Sequence, residues 1–295
     1  TANAFVLRGA VPVFIDIRND TLNINEILIE EAITEKTKAI VVVHYAGIAC
    51  DMDNILKIAE KYKLPVIEDA AHCIDSYYKN THLGTLGTFS TFSFHHTKNI
   101  SAGLGGALLV NDESYINRAK VLYTKGTNRD DFVNGKVNNY TWIDVGSSFM
   151  MSELNAALLY SQLEIVSEIT SIRLKLWSKY NQAFSNLKNL GIQLPMPSKF
   201  TKHNAHIYYL LMPDKKSRNH LLDFLAGNNI QASFHFIPLH SSPAGKRFCR
   251  FIGNMQITNE SSEQIIRLPL FPSMSTDEIE RVINLTLNFC KNYFR

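Results

Sequence analysis

The sequence predicts an α/β fold: a mainly parallel sheet with helices on both faces, followed by a smaller C-terminal α+β domain. Three observations carry this. Lys38–His44 is almost continuously apolar, as a strand covered on both faces requires. Met52–Tyr62 has helical period, with Ile55, Ile58 and Ala59 on one face. Past Pro195-Met196-Pro197 the pattern changes to strand, helix, strand and a closing helix.

Taken in order, Ala4–Ala10 reads as the end of a helix closed by Gly9. Val11–Ile17 reads as a strand and Asn25–Ala32 as a short helix. After Lys38–His44 and the helix come strands at Pro65–Glu68, Thr88–Phe94 and Ala107–Val110. A long amphipathic stretch from Ser152 to about Phe184 then leads away from the sheet. In the second half, Ala205–Met212 and Ile230–Ile237 read as strands, Lys216–Ala226 as a helix between them, and Thr276–Tyr293 as the last helix. The expected division is 1–165 for the large domain and 166–295 for the linking helix and small domain.

Composition narrows the class. Of 295 residues, 45% are hydrophobic and 19% charged, ordinary for a soluble globular protein with a large core. The net charge of +3 comes without a run of like charge, which gives nucleic-acid binding no support and suits an anionic substrate. No apolar run reaches membrane-spanning length, and no signal peptide opens the chain. The four cysteines, Cys50, Cys73, Cys249 and Cys290, lack metal-ligand spacing and read as reduced thiols of a cytoplasmic protein.

Ligands on parallel sheets bind beyond the carboxyl ends of the strands. His44, Asp69 and the segment before Lys98 fall at such ends. Alone, a lysine after a strand reads as a solvated loop residue, and an aspartate there as a cap or turn former. Together they are what a pyridoxal 5'-phosphate (PLP) enzyme needs: a lysine for the Schiff base and a carboxylate to keep the pyridine nitrogen protonated. The joint pattern is Glu68-Asp69-Ala70-Ala71-His72, then Ser93-Phe94-His95-His96-Thr97-Lys98-Asn99, then Gly103-Leu104-Gly105-Gly106.

Two competing motifs fail on context. Gly103–Gly106 precedes a strand instead of following one and opening a helix, so it is no dinucleotide loop. His95 and His96 invite a metal reading, but adjacent strand residues face opposite ways, so no metal is expected.

On these residues the chain resembles the DegT/DnrJ/EryC1/StrS family of PLP-dependent sugar aminotransferases. Further likeness lies in Thr1–Ala10, Val43–Gly47, Lys125–Arg129, Tyr140–Ser148, Phe236–Gly245 and Arg267–Phe271. The resemblance spans essentially the whole chain. It implies a fold-type-I aminotransferase working as a homodimer, with PLP as cofactor, a nucleotide-linked keto sugar as substrate and glutamate as amino donor. It implies Lys98 as catalytic lysine, Asp69 on the pyridine nitrogen, His72 toward the cofactor's phenolic oxygen, and Ser93 on the phosphate. Lys125, Arg129 and His240 become candidate substrate contacts.

The chain departs from the family in places. Leu104 stands where a glutamate is usual, and Ser148 and Met150 where many members have Asn and Arg. Family members begin several dozen residues earlier, so the sequence reads as N-terminally truncated, and weak PLP binding is expected. Three rival readings remain: the same fold acting on another sugar, a dehydratase of the family, which Lys98 argues against, and a non-catalytic fragment.

Overall fold

The computed structural model describes residues 1–235 and 237–294. Phe236, inside the expected strand Ile230–Ile237, and Arg295 lie outside the described residues.

The central sheet has four strands in chain order, β1 (Ile40–Val43), β2 (Val66–Asp69), β3 (Phe89–Ser93) and β4 (Gly106–Val110). The first two pairings are parallel and the last is antiparallel, so the sheet is mainly parallel as the sequence predicts. A parallel pair needs a crossover, and α1 (Met52–Tyr62) spans the one from β1 to β2. Asp51 caps this helix by accepting the Asn54 N–H at 3.3 Å. Its inner face packs Met52, Ile55 and Ala59 against Val42 and Val66. Ile55 is fully buried, which contributes roughly 2 kcal/mol.

The expected single stretch Ser152–Phe184 is two helices, α2 (Glu153–Leu163) and α3 (Val166–Ala183), broken at Glu164 and Ile165. The end of α2 is tied to the sheet instead of continuing: the Gln162 side chain accepts the Ser101 N–H at 2.9 Å and donates to the Ser101 carbonyl at 2.7 Å.

A second core lies under β5 (Tyr208–Leu211) and β6 (Ile265–Leu268), an antiparallel pair, with α3, α4 (Lys215–Gly227) and α5 (Thr276–Tyr293) around it. Capping boxes start α4 at Asp214 with Ser217, and α5 at Ser275 with Glu278. A smaller cluster joins the two halves of the chain, with Leu22, Ala46 and Ile48 from one side and Tyr209, Leu211 and Ile265 from the other.

Two expected strands are cut down. Within Val11–Ile17 only Val13–Phe14 forms a ladder, parallel to Arg250–Phe251. Pro12 has no N–H to give, and beyond the ladder the chain bends so that the Arg18 N–H reaches the Asn23 carbonyl at 2.8 Å. Among the described residues of Ile230–Ile237 one bridge forms, Ser233 to Arg267. The chain then leaves the sheet edge, and His235 meets the Tyr45 hydroxyl.

Candidate active site

Three parallel strands end side by side, at Val43, Asp69 and Ser93. Asp69 is the last residue of β2. Its Oδ1 accepts the Ala71 N–H at 3.1 Å, and its Oδ2 accepts from the Thr1 hydroxyl. Ser93 closes β3; its Oγ accepts the His95 N–H at 3.5 Å, and its O–H makes no hydrogen bond among the described residues.

Lys98 sits in the loop between β3 and β4, on a turn whose Lys98 N–H reaches the His95 carbonyl at 2.9 Å. The loop is held on both flanks. Ile100 and Ala102 are buried with Phe94 and Leu159, and Ser101 is gripped by Gln162. Burial lowers the Lys98 ammonium below its ordinary pKa; the nearby Asp69 charge opposes this, and Arg267 adds to the depression.

His72 lies on the turn after β2. Its Nδ1 accepts the Ala46 N–H at 3.2 Å, which leaves the proton of the neutral ring on Nε2. Burial first, and the Lys98 charge second, push its pKa down to about 3. Its ring stacks on His206, centroids 4.1 Å apart.

This stack belongs to a strap that the sequence reading did not find. Asn99, next to Lys98, donates to the Asn204 carbonyl at 3.1 Å and meets His206 Nδ1 through its own Oδ1 at 3.0 Å. Asn204 in turn donates to the His72 and Ile74 carbonyls, at 2.8 and 2.6 Å. Buried Arg173 on α3 donates to the Ala205 and His206 carbonyls. Ala205 takes φ +51, so the expected strand Ala205–Met212 starts only at Tyr208. The available signal was weak: Asn204 and His206 stand in the mainly polar stretch Thr201–His206, just before the apolar run that starts at Ile207.

Behind Asp69, Glu68 and His44 form a wholly buried pair. Both Glu68 oxygens also accept backbone N–H groups from Gly84, Leu86 and Gly87. Burial works to raise the Glu68 pKa, but the His44 hydrogen bond and the backbone donors win and hold it below the usual glutamate value.

The structure brings Asp69, His72 and Lys98 into one electrostatic neighbourhood. It does not link the other candidates to them. Lys125 stands exposed on a separate loop, where Gly126 packs its backbone against Asp144, and Arg129 stands exposed at the start of the short helix that follows, Arg129–Val133. His240 is buried edge-on to Phe251, beside the small parallel ladder. His95 and His96 lie beyond the strand end, not on it, so their rings do not diverge; the centroids are 3.9 Å apart. Among the described residues no group of three or more His, Cys, Asp or Glu is placed to hold a metal.

A half-buried lysine of lowered pKa, a neighbouring carboxylate, a neutral imidazole N–H and a serine hydroxyl form a donor set that fits PLP. The DegT/DnrJ/EryC1/StrS aminotransferase family matches residues 1–286. The chain belongs to this family. It is 39% identical to the uncharacterized protein MJ1066 of Methanocaldococcus jannaschii, over 96% of this chain and 75% of that protein. It is 34% identical to the spore coat polysaccharide biosynthesis protein SpsC of Bacillus subtilis, over 99% of this chain and 76% of that one. Among solved structures, the aminotransferase TlmJ from Streptoalloteichus hindustanus superposes with a TM-score of 0.90 at 26% identity, over 100% of this chain and 77% of that chain. The fold is therefore that of fold-type-I, PLP-dependent sugar aminotransferases.

Proposed function

We propose that this family member transfers an amino group from glutamate to C4 of dTDP-4-keto-6-deoxyglucose, giving dTDP-4-amino-4,6-dideoxygalactose for a surface polysaccharide such as enterobacterial common antigen or O-antigen. The coarse activity, sugar amination with PLP, follows from the family. The finer substrate rests on Thr1–Ala10, Val43–Gly47, Lys125–Arg129, Tyr140–Ser148, Phe236–Gly245 and Arg267–Phe271, whose sequences resemble the dTDP-4-amino-4,6-dideoxygalactose transaminases. SpsC, named for polysaccharide biosynthesis, supports the destination.

The observation that carries the reading is the meeting of Lys98, in the loop after β3, with Asp69 at the end of the adjacent β2, whose carboxylate charge reaches the lysine. PLP, when bound, supplies the electron sink and carries the amino group between the two substrates. Lys98 would anchor it and, once released, move a proton at the substrate carbon, for which a lowered amine pKa is the requirement. Asp69 would hold a proton on the ring nitrogen, competing there with the Thr1 hydroxyl. His72 would donate its Nε2–H to the ring oxygen and Ser93 its O–H to the phosphate. Lys125, Arg129 and His240 are proposed contacts for the nucleotide sugar.

The expected homodimer is supported by exposed apolar side chains on one segment: Trp142, Ile143, Val145, Phe149 and Leu154. Among the described residues no helix is long and apolar enough to cross a membrane; a cytoplasmic site of action is our proposal.

The test is amination of dTDP-4-keto-6-deoxyglucose by the PLP-loaded protein with glutamate, the product assigned by NMR. A 4-amino-galacto product supports the reading. An amino group at C3, or turnover only of another nucleotide sugar, overturns the substrate assignment.

A further inference from the structure

We propose that Arg267 receives a carboxylate of the amino-acid donor. This rests on the transamination reading above.

Arg267 lies on β6, directly opposite Tyr209 on β5. Opposed residues of an antiparallel pair share a face. On that face Ile265 and Tyr209 belong to the cluster joining the two halves of the chain, whereas Ile266 and Leu268 point into the second core. Arg267 therefore faces the seam. The Tyr209 ring is 6.0 Å from Tyr45, and Tyr45 is 6.2 Å from His72. The guanidinium thus stands on the side of the seam that carries the site. Its charge is felt by Lys98, His72, His206 and His235, all of which it pushes toward the neutral form.

Its bonding is incomplete. Among the described residues, Nε is buried with no hydrogen-bond partner, and the side chain's one hydrogen bond is Nη2 to the Phe234 carbonyl at 3.5 Å. No carboxylate pairs with it there. A guanidinium offers a planar fork that matches a carboxylate in two-point fashion. A partly buried cation with no carboxylate partner among the described residues, whose charge reaches three imidazoles, calls for an anion.

Two substrate anions are available, the donor's carboxylate and the sugar nucleotide's pyrophosphate. The α-carboxylate is one bond from the carbon whose proton Lys98 would move. The pyrophosphate is separated from the keto carbon by the sugar ring. A cation felt by Lys98 and His72 suits the first.

The test compares the parent with Arg267→Met and Arg267→Lys in the PLP-loaded full chain. Glutarate, a non-reacting dicarboxylate, is titrated against each by calorimetry and by its effect on melting temperature. We expect glutarate binding to weaken at least tenfold in Arg267→Met, with its stabilising effect lost. The two half-reactions are then followed separately by cofactor absorbance. The glutamate concentration for half-maximal rate should rise 10- to 100-fold, a loss at least tenfold larger than that in the keto-sugar half-reaction. Arg267→Lys should fall between, and stands in if Arg267→Met does not fold. A loss confined to the sugar half-reaction assigns Arg267 to the pyrophosphate and overturns the proposal. Equal losses in both, or unchanged glutarate binding, also overturn it. A parent that binds glutarate through Arg267 yet reacts with no amino acid fails the transamination reading alone.

Discussion

The Glu68 carboxylate lies 2.9 Å from His44 Nε2, and neither side chain has any solvent exposure. His44 Nδ1 accepts the Cys50 N–H at 3.1 Å, so Nε2 carries the ring proton toward Glu68. The pair locks the ends of β1 and β2, and Asp69 follows Glu68 directly. Positioning of the candidate ring partner is thus built from a residue whose side chain points away from it.

Glu68→Gln should lower stability by about 3 kcal/mol, because an amide cannot accept from His44 and three backbone donors at once. Urea unfolding near pH 7 measures it. The Glu68 pKa is lowered in the fold. Its contribution is therefore present above the ordinary glutamate range and lost as pH falls below about 4.5. The gap between parent and variant should narrow between pH 5 and 3. A gap independent of pH would show that the carboxylate charge is not what stabilises.

Borohydride reduction of the PLP-loaded protein, followed by peptide mapping, should place the label on Lys98 and on no other lysine. Lys98→Ala should abolish it. Label mainly on Lys125, the exposed alternative, would remove Lys98 from its assigned role.

Asp69→Asn should keep measurable PLP binding while turnover falls about 100-fold or more, since a neutral amide cannot hold the ring charge that matters most in the transition state. Absorbance titration and steady-state rates separate the two effects. Near-parental turnover would exclude Asp69 as ring partner.

Three of the buried imidazoles held neutral in this fold are His72, with its pKa at about 3, and His203 and His235, at about 4, each chiefly by burial. All three lie below the free value of 6.5. Their contribution to stability is complete above pH 6.5 and declines as pH falls from there toward the folded values. Nitrogen-detected NMR should show His72 as the Nε2–H tautomer, unprotonated at pH 5. A ring charged at pH 6 would contradict the burial argument.

The sheet was legible in the sequence because its signals are local. Ala39–Val43 is apolar throughout, α1 is capped at Asp51 and runs from Met52 to Tyr62 as its period says, and α5 occupies the predicted Thr276–Tyr293. Lys98 and Asp69 stood out in the sequence because the proposed chemistry calls for those two side chains after neighbouring strands, and the structure brings the Asp69 charge within reach of Lys98. What escaped depends on distant parts of the chain meeting. Asn204 and His206 show no period of their own, and their role exists only because Asn99 and His72 lie against them. Arg267 sits in a run read for its likeness to relatives, and only the pairing with Tyr209 reveals which way it faces. Ile230–Ile237 has strand composition, but among its described residues Ser233 alone forms a β-bridge.

The Asn204 side chain spends its amide on two carbonyls of the turn after Asp69, which pins its Oδ1 against the backbone of Gly47. Gly47 takes φ +77, and a Cβ there would run into that oxygen. Two positions 157 apart in the chain are thereby coupled sterically. A side chain at the first would need a smaller residue at the second, which would give up the tie between the strap and the His72 turn, and would still meet the His72 carbonyl and a left-handed backbone.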